Sequence, residues 1–187
     1  MALAPTKFSP LPENHFFFDF PQPGSEFFIA DFIVDGQKFL LMSNPTDCRT
    51  RMILRFRGSC DCTDIKTTMN RLYLDAELSA FYKCVGNLMI CFQSYGVQLF
   101  VAGNNSHSVE SDEIVIGDKE PAILHAHLVV RYLLPLSQIG EEFTLKGPKE
   151  PWQDAEQAQQ FSQWAESKVS EYMKTVALDN IIYTNIG

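Results

Sequence analysis

A chain of 187 residues with 45% hydrophobic content is long enough for one domain with its own core and short for two. The net charge of −8, with no basic block, argues against general nucleic-acid binding by charge neutralisation. No apolar run approaches the roughly 18 residues of a membrane-spanning helix, so no membrane partner is expected.

The N-terminus, Met1-Ala2-Leu3-Ala4-Pro5-Thr6-Lys7, lacks a charged region leading into an apolar one, and reads as no signal peptide. Five cysteines, at 48, 60, 62, 84 and 91, are an odd number. Without a secretory signal they point to reduced thiols and a cytoplasmic setting. Cys60-Asp61-Cys62 lacks the two-residue gap and distant partner pair of a zinc ribbon.

Five prolines among the first 25 residues, at 5, 10, 12, 21 and 23, surround Phe16, Phe17, Phe18 and Phe20. Proline at that density excludes regular helix, while the phenylalanines demand burial. Residues 1–26 therefore read as an extended arm packed across a domain at 27–147.

Phe27 to Val34 is the first strand expected in that domain, turned at Asp35-Gly36 into a hairpin partner at Lys38 to Ser43. Asn44-Pro45-Thr46-Asp47 turns again, into a third strand from Arg51 to Phe56. Helical spacing of Leu78, Phe81, Tyr82, Val85, Leu88 and Met89 predicts a helix from Leu74 to Cys91, ended by Gly96. Val97 to Ala102 is a fourth strand, followed by a loop at Gly103 to Ser106. A polar, acidic stretch from His107 to Glu120 leads to a strand from Ala122 to Leu134, expected to pair antiparallel with Val97–Ala102. Pro148 to Trp152 breaks the chain before a helix from Asp154 to Val176, with Ala158, Phe161, Trp164, Ala165, Lys168 and Tyr172 on one face. Residues 148–187 would pack on the domain as helix and tail. Strands, helix, strands, helix make one α+β domain with an antiparallel sheet.

The chemistry-bearing segment is Ile123-Leu124-His125-Ala126-His127-Leu128-Val129-Val130-Arg131. On a strand, His125 and His127 leave the same face while Leu124, Ala126 and Leu128 leave the other. Paired imidazoles can bind a metal or divide nucleophilic and acid/base work between them. They can equally be satisfied polar residues on a half-buried strand.

With its hairpin, helix, strand, loop and histidine strand, the chain from about Phe27 to Met173 resembles the histidine triad (HIT-like) superfamily of nucleotide hydrolases and transferases. Leu124 to Arg131 resembles the later part of that family's signature strand. Pro151-Trp152-Gln153-Asp154, running into a helix, is similar to the C-terminal element of its fragile-histidine-triad branch. The resemblance implies a nucleotide or nucleoside polyphosphate as partner, no cofactor or metal, and a homodimer as candidate assembly. It also implies His125 as the nucleophile on a nucleotide α-phosphate, with His127 contacting the phosphate or leaving group. A protonated neighbouring imidazole would stabilise the developing charge. Asn104 or Asn105 would take the place of the family's amide near the phosphates, and Lys119 would supply a point charge.

The departures are specific. Ile123 stands where the first histidine of the triad belongs, and the Gly-His pair ahead of the third strand falls on Arg49-Thr50. The ribose-contacting acid falls on Met42 or Ser43, and the Gly-Gln-Ser/Thr element on Asp118-Lys119-Glu120. Three readings follow. The first is a divergent nucleotide hydrolase or nucleotidyl transferase. The second is a catalytically degenerate module of the same fold that binds a nucleotide or a protein. The third is a metal site built from His125, His127 and an acidic residue or His107.

Overall fold

The computed structural model describes residues 7–8, 21–59, 75–102, 107–110, 113–116, 124–131, 149–176 and 181–184. The strands are β1 (Lys7–Phe8), β2 (Phe28–Val34), β3 (Gln37–Ser43), β4 (Met52–Ser59), β5 (Val97–Ala102), β6 (His107–Glu110), β7 (Glu113–Ile116), β8 (His125–Val130) and β9 (Ile181–Thr184). The helices are α1 (Asp75–Phe92) and α2 (Ala155–Thr175). Six strands form one antiparallel sheet in the order β5-β8-β4-β3-β2-β9. Asp35 and Gly36 both take positive φ, 49° and 76°, which is the turn a two-residue hairpin between twisted strands requires.

Alternation makes one face of this sheet the core. Phe32, Val34, Phe39, Leu41, Met52, Leu54, Phe56, Ala126, Leu128 and Val130 meet Phe81, Val85, Leu88 and Phe92 of α1 and Phe161, Ala165 and Val169 of α2. Phe39 joins the layers, with its ring 5.6 Å from that of Phe56 and 6.2 Å from that of Phe81. The helix from 74 to 91 is found within a residue at each end, although its buried face differs from the expected one. Tyr82 and Met89 are exposed, and Ala80, Cys84 and Phe92 are buried instead. Ala80, Cys84 and Phe92 join Phe81, Val85 and Leu88 in the core cluster in their place. On α2, Ser162 and Val169 replace Lys168 and Tyr172 in the buried stripe. The Lys168 ammonium lies 3.3 Å from Glu171 at the surface.

The polar, acidic stretch at 107–120 carries no strand expectation in the sequence. Its described parts are instead β6 and β7, an antiparallel hairpin that pairs through β7 with β1 in a second, three-stranded sheet. A short polar hairpin carries too little apolar alternation to announce itself. β9 was also missed: Ile181 to Thr184 closes the edge of the main sheet against β2. The phenylalanines at 16, 17, 18 and 20 and the Cys60-Asp61-Cys62 segment lie outside the described residues.

Candidate functional site

β8 is second from the sheet edge, between β5 and β4. Leu124 just before it and Ala126, Leu128 and Val130 within it are buried in the core. That fixes the register, since a slip by one residue would send the whole set to the wrong face. His125 and His127 consequently emerge together on the face away from the helices. Their ring centroids are 5.0 Å apart, with the planes 77° to one another.

β4 obeys the same logic. Met52, Leu54 and Phe56 turn inward, so Ile53 and Arg55 turn toward the histidines. Ile53 is the cross-strand partner of His127, and Arg55 of His125. On the other side of β8, Phe100 pairs with His127 and Ala102 with His125. One row across the sheet therefore runs Asp31, Leu40, Arg55, His125, Ala102, and the next runs Met42, Ile53, His127, Phe100. Phe28, Leu40 and Met42, with Phe27 and Ile53 against them, make a second apolar cluster on this face beside the histidines.

Arg55 is only 4% exposed. Its Nη1 donates to the Met42 sulfur at 3.7 Å. Arg57, on the same strand, pairs with Asp31 at 2.7 Å. Sequence reasoning identified the strand but missed Arg55. The available signal was alternation: in Met52-Ile53-Leu54-Arg55-Phe56-Arg57 the arginines occupy the non-core phase of a strand beside the histidine strand.

Against β8 lies a compact polar corner whose Asp47 acts electrostatically on His127. A 3-10 turn at Cys48–Thr50 contacts β8 and is capped by Asp47, whose carboxylate accepts the Arg49 backbone N–H at 3.1 Å. The same carboxylate accepts Arg49 Nε at 2.8 Å and Nη2 at 2.7 Å, and the Glu150 backbone N–H at 3.3 Å. Burial pushes the Asp47 pKa up, but the Arg49 side chain and the two backbone N–H groups outweigh it, leaving the carboxyl below its ordinary value. The Trp152 indole N–H donates to the Asn44 carbonyl at 2.7 Å, tying the segment before α2 to this corner.

His127 is held strongly neutral. Burial is the main cause and neighbouring His125 the second, taking its pKa from 6.5 to about 4 against the opposing pull of Asp47. The buried Nδ1 has no hydrogen-bond partner among the described residues. A protonated His127 acting beside His125 near neutral pH was one sequence expectation. Burial of the ring opposes protonation there.

The structure brings His125 and His127 onto one face, as the alternation required. Asn104, Asn105 and Lys119 lie outside the described residues, as does Ile123. Among the described residues no group of three or more His, Cys, Asp or Glu side chains is placed to hold a metal. No helix among them is long and apolar enough to cross a membrane.

The profile of the HIT-like family, described as HIT-related, matches residues 28–179. That span holds the main sheet except β9, together with both helices and the histidine strand. The chain belongs to the HIT-like family. A crystal structure of an uncharacterized protein, LPG0439, is similar to this HIT-like chain with a TM-score of 0.79 and 23% identity. The match covers 96% of this chain and 97% of that one, and at this identity it speaks to the fold alone. No curated protein matches the sequence.

Proposed function

We propose that this HIT-like protein acts at the α-phosphate of a nucleotide as a hydrolase or nucleotidyl transferase, with His125 as the nucleophile. The observation that carries the reading is the pairing of His125 with His127 on the sheet face away from the helices, with a buried arginine on the adjacent strand. An imidazole nitrogen of His125 would form a bond to phosphorus as the bond to the leaving group breaks, giving a nucleotidyl-histidine. Water or another acceptor then displaces the histidine. His127, neutral near pH 7, would donate a hydrogen bond to the phosphate or leaving group rather than supply charge. The apolar cluster of Phe28, Leu40 and Met42 lies on the same face and stiffens the strands that carry the histidines. Asn104, Asn105 and Lys119 belong to this reading as phosphate contacts. The thiols of Cys48, Cys84 and Cys91 are free, which supports a cytoplasmic protein. Exposed Tyr82, Met89 and Ile90 on α1 are the apolar surface that would serve a homodimer.

A second reading has its own observation. With Ile123 in the first triad position and His127 neutral, the fold can bind a nucleotide without turning it over. Turnover of dinucleoside polyphosphates and nucleoside phosphoramidates, with chelator present, separates the two. For an enzyme, His125→Ala removes most of the rate, His127→Ala leaves a remnant, and the double variant is no worse than the first. Turnover that survives His125→Ala removes His125 from the mechanism. Nucleotide binding without turnover establishes the binding module.

A further inference from the structure

Trp152 reaches both ends of the loop that joins β3 to β4. Asn44 is the first residue after β3, and Arg51 is the last before β4. The indole N–H donates to the Asn44 carbonyl at 2.7 Å, and the Arg51 guanidinium lies 5.7 Å from the indole ring centroid. The two ends are also joined to each other, because the Asn44 N–H donates to the Arg51 carbonyl at 2.8 Å. Between them, the Glu150 backbone holds the middle of the loop. Its N–H donates to the Asp47 carboxylate at 3.3 Å, and its carbonyl accepts the Cys48 N–H at 2.7 Å.

Arg51 shows that this closure is imposed from outside the loop. Its backbone has φ 48° and ψ −72°, a positive-φ conformation that residues with a side chain rarely adopt. Such a conformation persists only where the neighbours over-determine it. Here the neighbours are aromatic: the guanidinium lies 5.7 Å from the Phe161 ring as well, and the Phe161 and Trp152 rings are 5.5 Å apart. Phe161 then meets Trp164 at 5.6 Å, and Trp164 meets Phe92 of α1 at 5.8 Å. Trp152 therefore ties the loop to the helical layer. On its other side the loop meets the histidine strand. Its 3-10 turn contacts β8, and the residues after Arg51 pair with β8, Met52 with Leu128 and Ile53 with His127. Asp47 in the loop, Lys149 next to Glu150, and His125 all act on the charge of His127.

We propose that Trp152 is a positioning residue for the histidine pair, clamping Asn44 and Arg51 so that the β3–β4 loop stays seated against β8 and the His127 ring stays enclosed. Its action on the site runs through the loop. The consequence for catalysis rests on the proposed function, whereas the enclosure of His127 does not.

The test is the imidazole titration of His125 and His127, followed by NMR without ligand, in wild type, Trp152→Phe, Trp152→Ala and Val169→Ala. Trp152→Phe keeps a ring beside Arg51 and Phe161 and loses the N–H donor to Asn44. Val169→Ala opens the core farther along α2 and controls for lost stability alone. In Trp152→Ala the His127 pKa should rise from about 4 toward 6.5, at least about tenfold in proton affinity, with a smaller rise in Trp152→Phe. Val169→Ala should lower the melting temperature and leave the titration where it is. An unmoved His127 titration in the folded Trp152 variants overturns the proposal, and so does an equal rise in Val169→Ala. Wild-type His127 titrating near 6.5 overturns it too, since there is then no enclosed ring to hold. If Trp152→Ala fails to fold, Trp152→Phe against Val169→Ala carries the comparison. Turnover of dinucleoside polyphosphates separates the clamp from the proposed function. A moved titration in a protein that turns over no nucleotide keeps the clamp and ends the hydrolase reading. Turnover through His125 with an unmoved titration does the reverse.

Discussion

Removing the imidazole of His127 should flatten the acid sensitivity of the fold. In the native protein its pKa is depressed to about 4, whereas the unfolded chain restores it to 6.5. Between those values the unfolded state binds the extra proton, so stability falls as pH falls. The His127 contribution is therefore fully present above 6.5 and is lost as pH drops toward 4. At about 1.4 kcal/mol per pKa step, complete titration costs about 3 kcal/mol. Between about pH 7 and about pH 5 the loss is about 2 kcal/mol. Urea denaturation of wild type and His127→Asn at both pH values measures this as a double difference, in which the other titrating groups cancel. The variant should lose about 2 kcal/mol less than wild type over that interval. Equal losses in the two proteins would show that His127 titrates normally in the fold, and the account of its neutrality would fail. Wild-type His127 ring resonances titrating near 6.5 would refute it directly.

Asp47→Asn keeps a capping oxygen but strips the charge paired with Arg49, so urea unfolding at neutral pH should show a loss of about 2 kcal/mol. Because the folded Asp47 pKa lies below 3.8, that contribution is present above 3.8 and fades as pH falls through the folded value, so the deficit should shrink in strong acid. The same change removes a carboxylate that raises the His127 pKa, so the His127 NMR titration should move further down; an upward shift would contradict the arrangement. Phe81→Ala, at a ring with no exposure that packs against Phe39, should cost about 3–5 kcal/mol by denaturant titration, and a cost under about 1 kcal/mol would mean that α1 is not docked here.

The main sheet was largely legible because its strands alternate. Phe32, Val34, Leu54, Ala126 and Leu128 sit at every second position, and a half-buried sheet leaves no other register open to them. α1 and α2 were legible for the parallel reason that their apolar residues recur at helical spacing. Asp154 marks the start of α2 by accepting the Gln157 backbone N–H at 2.8 Å. The shared face of His125 and His127 follows from two residues of sequence, because strand geometry imposes it. β6, β7 and β9 did not announce themselves, being short pairings whose order comes from a neighbouring strand rather than from their own pattern. The sequence could not set Arg55 beside His125 either, since about seventy positions separate them and only the order of strands joins them. The neutrality of His127 is likewise a tertiary result. An isolated imidazole titrates near neutrality, and it takes the burial of the ring beside a second histidine to withdraw the proton.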